Sequence, residues 1–124
     1  MSKSLLVDGV EIVNTTPHPI NFLDASGEVV EVPCSGVVIN ARAVESDAGE
    51  RGLAKLVKTS FIADPESEKA LSLLEAEYPR AIIVGSIIAA QAFPGRVFAM
   101  TPAPGFERVP PQEKRMNPRK FTTF

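Results

Sequence analysis

The 124-residue chain has one cysteine, one histidine, one tyrosine and no tryptophan. The lone Cys34 closes no internal disulfide, which fits a reducing compartment, and a cytoplasmic location is the expectation. With His18 as the only imidazole, any Ser-His-Asp or Cys-His mechanism would have to run through it. Neither Cys34 nor any serine lies in a nucleophile-elbow pattern. One histidine and one cysteine without paired carboxylate spacing support no metal site. The reading is therefore of a non-enzymatic protein with no cofactor. No apolar run approaches the ~20 residues of a bilayer span, and no charged-then-apolar leader is seen, so no membrane partner is expected.

Proline, by contrast, is abundant at eleven residues, which predicts short elements and much ordered loop. A hydrophobic content of 44% and a charged content of 23% are ordinary for one globular domain. The net charge of −2 argues against nucleic acid as a partner. Charge is unevenly spread. Five basic and two acidic residues fall between Phe106 and the end, so the excess of acid lies in the remainder.

The longest apolar run organises the chain. Ala81 to Val84 reads as a buried strand, short and β-branched. Gly85-Ser86 breaks it, with Ser86 as a helix N-cap. Ile87 to Phe93 reads as a short helix stopped by Pro94-Gly95, and Val97 to Met100 as the next strand. Upstream, Leu5–Val7 and Val10–Val13 flank Asp8-Gly9, a hairpin signal. Ile20–Leu23 and Glu28–Val32 read as strands around the turn Asp24–Gly27. Val37–Ala41 reads as another strand, which Arg42–Glu45 could extend. The first 45 residues thus predict a β-meander.

Ser46 to Gly52 is polar and reads as a loop. Leu53–Phe61 alternates enough to favour strand. Asp64-Pro65-Glu66 is a helix start, with Asp as N-cap and Pro at the first position. Ala70, Leu71, Leu74 and Tyr78 then recur at helical spacing until Pro79. The expected fold is α+β: an N-terminal antiparallel meander, a strand-helix-strand unit, one amphipathic helix and an extended C-terminal arm. Residues 1–105 form the domain and residues 106–124 the basic, aromatic-tipped arm.

Two constellations are candidates for function. A strand-to-helix junction presents free amides, so Ser86, with Thr59 and Arg96, could form one wall of a corner for a small anionic ligand. Asn14, Thr16 and His18 would form the other wall. No P-loop or dinucleotide fingerprint is present. The plainer readings are a Ser86 cap and a Pro-His-Pro turn held by its own imidazole. The second constellation is the arm: Phe106, Arg115, Arg119, Phe121 and Phe124 would anchor it on the body or on a neighbouring subunit, a free tail being the competing reading. Glu66, Glu68, Glu75 and Glu77 read as a solvated helix face.

The segments Asn14–Ile20 (Asn-Thr-Thr-Pro-His-Pro-Ile), Pro33–Val37, Val57–Phe61 and Ile82–Ser86, continuing through Ala89, Ala92, Pro94 and Arg96, resemble a group of short proteins found in phages, prophages and some bacteria. Two departures stand out. Residues 64–79 read as a helix where the group holds a short Gly-Leu-Pro loop, and the acidic residues that commonly follow the arginine equivalent to Arg96 are absent. The resemblance implies a phage context without a fixed activity. One expectation is an accessory protein in the host cytoplasm that binds a nucleotide-like signal or a host factor. The alternative is a virion or capsid-associated subunit that assembles through its arm as a homo-oligomer or with a partner protein.

Overall fold

The computed structural model describes residues 3–124. Strand β1 (Ser4–Val7) and β2 (Val10–Asn14) form a hairpin over Asp8-Gly9. Both turn residues have positive φ, 51° and 79°, the two-residue geometry that matches strand twist and that Asp-Gly tolerates. β3 (Ile20–Leu23) and β4 (Val29–Val32) form a second hairpin. Its turn is tied by the Asp24 carboxylate, which accepts from the Ser26 hydroxyl and from the N–H groups of Ser26 and Glu28. The Ser26 hydroxyl and the Glu28 N–H lower the Asp24 pKa below the ordinary aspartate value.

The remaining elements are β5 (Ala41–Arg51), β6 (Ala54–Ala63), α1 (Pro65–Glu77), β7 (Ile82–Val84), α2 (Ile87–Ala92), β8 (Ala99–Pro102) and β9 (Met116–Thr122). The fold is α+β, with strands in three sheets ordered β1-β2-β7, β4-β3-β9-β8 and β5-β6. Helix α1 starts where its caps place it, with the Asp64 carboxylate accepting from the Ser67 N–H and Pro65 at the first position.

The three-stranded sheet is the middle layer. β7 lies parallel to β2, pairing Ile12 with Ile82, Val13 with Ile83 and Asn14 with Val84. Alternation sends Val13 and Ile83 to one face, where they pack with Leu71 and Leu74 of α1 and Ala89 and Ala90 of α2. Ile12 and Val84 go to the other face, against Phe22, Ile20 and Val32 of the four-stranded sheet. A strand buried on both sides reads as a continuous apolar run, which is why Ile82-Ile83-Val84 shows no polar alternation. The expected strand-helix-strand unit is therefore present, and its first strand is the centre of the protein.

Other expectations change. The two N-terminal hairpins belong to different sheets, so they do not form one meander. The kink at Pro17-His18-Pro19 carries the chain from the middle layer to the outer one. Residues 37–40 are irregular rather than strand, although Ile39 is buried and its N–H bonds the Thr15 carbonyl at 3.2 Å. Residues 46–51, expected as loop, continue β5.

The strand-to-helix joint is tight. A Cβ on Gly85 would lie 2.7 Å from Val97 Cγ1, 3.3 Å from Thr15 Oγ1 and 3.4 Å from Ala89 Cβ. Val97 is fully buried and β-branched, so it has little freedom to yield. Gly85→Ala is expected to destabilise the protein by about 1–3 kcal/mol in urea unfolding, as overpacked cores do. Adding Val97→Ala should recover part of the loss; a double variant worse than the sum of the singles would contradict this account.

Candidate functional site

The Asn14–Pro19 motif is built for structure. Asn14 is fully buried. Its Nδ2 donates to the carbonyls of His18 at 2.7 Å and Val32 at 3.1 Å, and its Oδ1 accepts from the Thr16 N–H at 2.8 Å and the Thr16 hydroxyl at 2.7 Å. Both donors and both acceptor positions of the amide are thus used. Thr15 adds its N–H and its hydroxyl to the Val84 carbonyl, each at 2.8 Å. The turn is held by Asn14 and Thr16 acting on the His18 carbonyl, not by the His18 imidazole. His18 itself is exposed.

The other proposed ligand residues are also committed. The Ser86 hydroxyl caps α2, accepting from the Ala89 N–H at 3.1 Å. Arg96 forks across two turns of α1, reaching Glu68 at 2.8 Å and Glu75 at 2.7 Å, with its guanidinium 5.8 Å from the centre of the Phe93 ring. The hydrogen-bonded carboxylates of Glu75 and Glu68 raise the Arg96 pKa further above its already high ordinary value. This is a bidentate brace between α1 and the chain leaving α2, and it takes up Glu68 and Glu75, which were expected only to be solvated. Thr59 sits exposed on β6 opposite Glu45. Of four clefts on the described surface, one is lined by His18 and another by Arg96, and none of these four is lined by two of the six residues. Of the six residues expected to form a corner, Asn14, Thr16 and His18 meet at one turn, while Ser86 is taken by its cap, Arg96 by its ion pairs and Thr59 lies out on the β5-β6 hairpin.

The cleft beside His18 has a volume of about 390 Å³ and is lined by Pro19, Ile20, Asn21, Met100, Pro111, Lys114 and Met116. His18 and Lys114 of the C-terminal segment both line it.

That segment is not a free arm. β9 lies between β3 and β8, so residues 116–122 complete the four-stranded sheet of their own chain. Met116 pairs with Phe22, and the Phe121 ring lies 6.3 Å from the Phe22 ring. Arg119 lies 3.7 Å from Asp8, and the Arg115 guanidinium bonds the Lys114 carbonyl. Phe106 is half-buried, and of the expected anchors only Phe124 remains an exposed aromatic. Residues 117–120 bulge opposite Thr101, and this lets Pro118 sit buried in a strand without a ladder donor.

The element that does leave the body is the β5-β6 hairpin. Every residue from Arg42 to Ser60 is exposed. Ten paired residues at about 3.3 Å each give a reach of about 30 Å. Only Ala41 and Phe61 at its root are half-buried, with α2 alongside. Gly52 turns the tip with φ 61°, and Leu53 there is fully exposed. Val44, Leu56, Val57 and Ile62 are exposed along its length. A two-stranded ribbon with open edges and exposed aliphatics is marginal alone in water and invites pairing. Sequence reading found its second strand and, as an extension over Arg42–Glu45, the first half of its first; residues 46–51 were read as loop. The cue to the first strand was the Gly52-Leu53 turn between two exposed stretches of similar length.

Among the described residues, no three His, Cys, Asp or Glu side chains cluster as for a metal, and no helix is long and apolar enough to cross a membrane. The chain matches no family model, no curated protein and no solved structure.

Asn14→Ala removes the buried donor to the Val32 carbonyl and one of the two donors to the His18 carbonyl, and should cost about 1–3 kcal/mol in urea unfolding. Asn14→Asp should depend on pH. Burial and the facing carbonyls raise the new carboxyl's folded pKa, so its penalty is small below the unfolded aspartate value of about 3.9 and grows as pH rises through it. The deficit relative to wild type should therefore be larger at about pH 7 than at about pH 4; a deficit equal at both would refute the assignment.

Proposed function

We propose that the protein is a non-enzymatic interaction protein of the phage-type group it resembles, and that it engages a partner protein through the β5-β6 hairpin. The observation that carries this reading is the length of exposed ribbon from Arg42 to Ser60, with Leu53 at its tip. A solvated pair of strands about 30 Å long, held to the body only at its root, does nothing for the body's own core. Asn14, Thr16, Ser86 and Arg96 spend their polar groups on turn, cap and ion-pair contacts, which moves the reading from ligand binding towards docking. In the assembly version of this reading the hairpin takes the role expected of the C-terminal arm.

A shortened chain tests this. Replacing residues 45–59 by Asn-Gly joins Val44 to Ser60 through a two-residue turn. The shortened protein should melt within a few degrees of the full chain, since the cores are untouched. The full chain should form a hairpin-dependent species, seen by light scattering of the pure protein or by co-purification from a host extract. Identical behaviour of the two chains in both assays overturns the proposal.

A second reading keeps a small anionic ligand, in the cleft shared by His18 and Lys114. What favours it is that the only histidine, a lysine and Asn21 line one recess with five apolar residues. Nucleotides should raise the melting temperature of the full chain, and Lys114→Glu should abolish the rise. No shift with any nucleotide removes this reading.

A further inference from the structure

The hairpin register sorts charge. Ala41 pairs with Ala63, Glu45 with Thr59 and Asp47 with Val57; beyond the irregularity at Ala48, Gly49 pairs with Leu56 and Glu50 with Lys55. Paired residues share a face, and alternate residues along a strand share a face. One face therefore carries Glu45, Asp47 and Glu50 with Lys55 as its only cation. The other carries Arg42, Arg51 and Lys58 with no carboxylate.

The bulge produces this division. With strict alternation Glu50 would fall beside Arg42, and Arg51 beside Asp47. One extra residue at Ala48 shifts the phase of β5 and moves each to the face of its own sign. The Gly49 N–H bonds Asp47 Oδ1 at 2.8 Å, and Gly49 takes φ 99°, so the bulge is built from an Asp-x-Gly sequence suited to it. Aliphatic residues accompany both sets, Val57 on the acidic face and Val44, Leu56 and Ile62 on the basic face.

We propose that the hairpin's partner is a second copy of this chain, with the acidic face of one ribbon stacked on the basic face of the next. The inference rests on the docking reading above and supplies its partner. Each face complements the other, and neither complements itself, so a two-fold dimer would set like charges together. The contact is heterologous and continues into a ring or an open series. A ribbon face of at most about 30 by 10 Å buries on the order of 600 Å² per contact, below the roughly 1,200 Å² of a stable pairwise interface, so each contact is weak and salt-dependent unless a ring closes.

The test uses the full chain and two variants. Glu45→Lys with Glu50→Lys makes both faces basic and leaves the Asp47 bond of the bulge in place. Arg42→Glu with Arg51→Glu and Lys58→Glu makes both acidic. Circular dichroism and melting of each variant confirm that the body is intact. In sedimentation velocity at about 0.05 M salt the wild type should form species larger than dimers, with association weakened at least tenfold at about 0.5 M salt. Each variant alone should be monomeric, and an equimolar mixture of the two should associate again. A wild type monomeric at every concentration and salt overturns the self-stacking inference, while the host-extract comparison of full and shortened chains decides the docking reading separately. Association lost on shortening the hairpin but unchanged in both charge variants overturns the stacking inference alone. A dimer as the largest species also overturns it.

Discussion

The carboxamide of Asn14 spends every hydrogen-bonding position it has inside the protein. It sits at the end of β2, in the middle layer, and ties the end of β4 in the outer sheet to the turn between them. Replacing such a group takes the donor from the buried Val32 carbonyl, and a buried acceptor left short of a donor costs more than the bond was worth. The spacing of the two sheets, the direction of the chain through Pro17-His18-Pro19 and the burial of Ile12 and Val84 between the layers all follow from this tie. Thr15 performs the matching task one residue on, binding the Val84 carbonyl twice and so fixing the end of β7.

Around that tie the protein is a layered body with bracing at its periphery. Arg96 clamps α1 through Glu68 and Glu75, and Ser86 fastens the start of α2. These side chains look available in one dimension because sequence lists them as polar residues at element ends. In three dimensions such positions are where helices and turns need caps, and a capping group is not free to bind anything else.

Much of the body was legible because its signals are local. Asp8-Gly9, Asp64-Pro65 and Gly85-Ser86 each fix an element boundary by their own backbone chemistry. The run Ile82–Val84 announced a strand buried on both faces. What escaped depends on partners distant in sequence. β9 is polar and contains Pro118, and only pairing with β8 and contact of Phe121 with Phe22 make it a strand. The outer half of β5 escaped for a different reason: with no core beneath it, its residues carry no hydrophobic period, and the Ala48 bulge breaks the alternation that remained. The candidate site failed in the same way. Asn14, Thr16, Ser86 and Arg96 were recognised as notable, but whether a polar group points outward or into a cap depends on tertiary placement.

The hairpin leaves and re-enters the body side by side. Ala41 faces Ala63, and the N–H of Asn40 is bonded to Ser67 Oγ in the first helix at 2.8 Å. An excursion closed at its base can change length without disturbing anything beneath it. Adding one residue to each strand at the tip would lengthen it by about 3.3 Å and keep every existing pair opposite its partner. Adding one residue to a single strand would instead exchange the two sides beyond that point. The hairpin is thus a ruler whose span can drift in matched steps, while unmatched insertions rewrite what it presents.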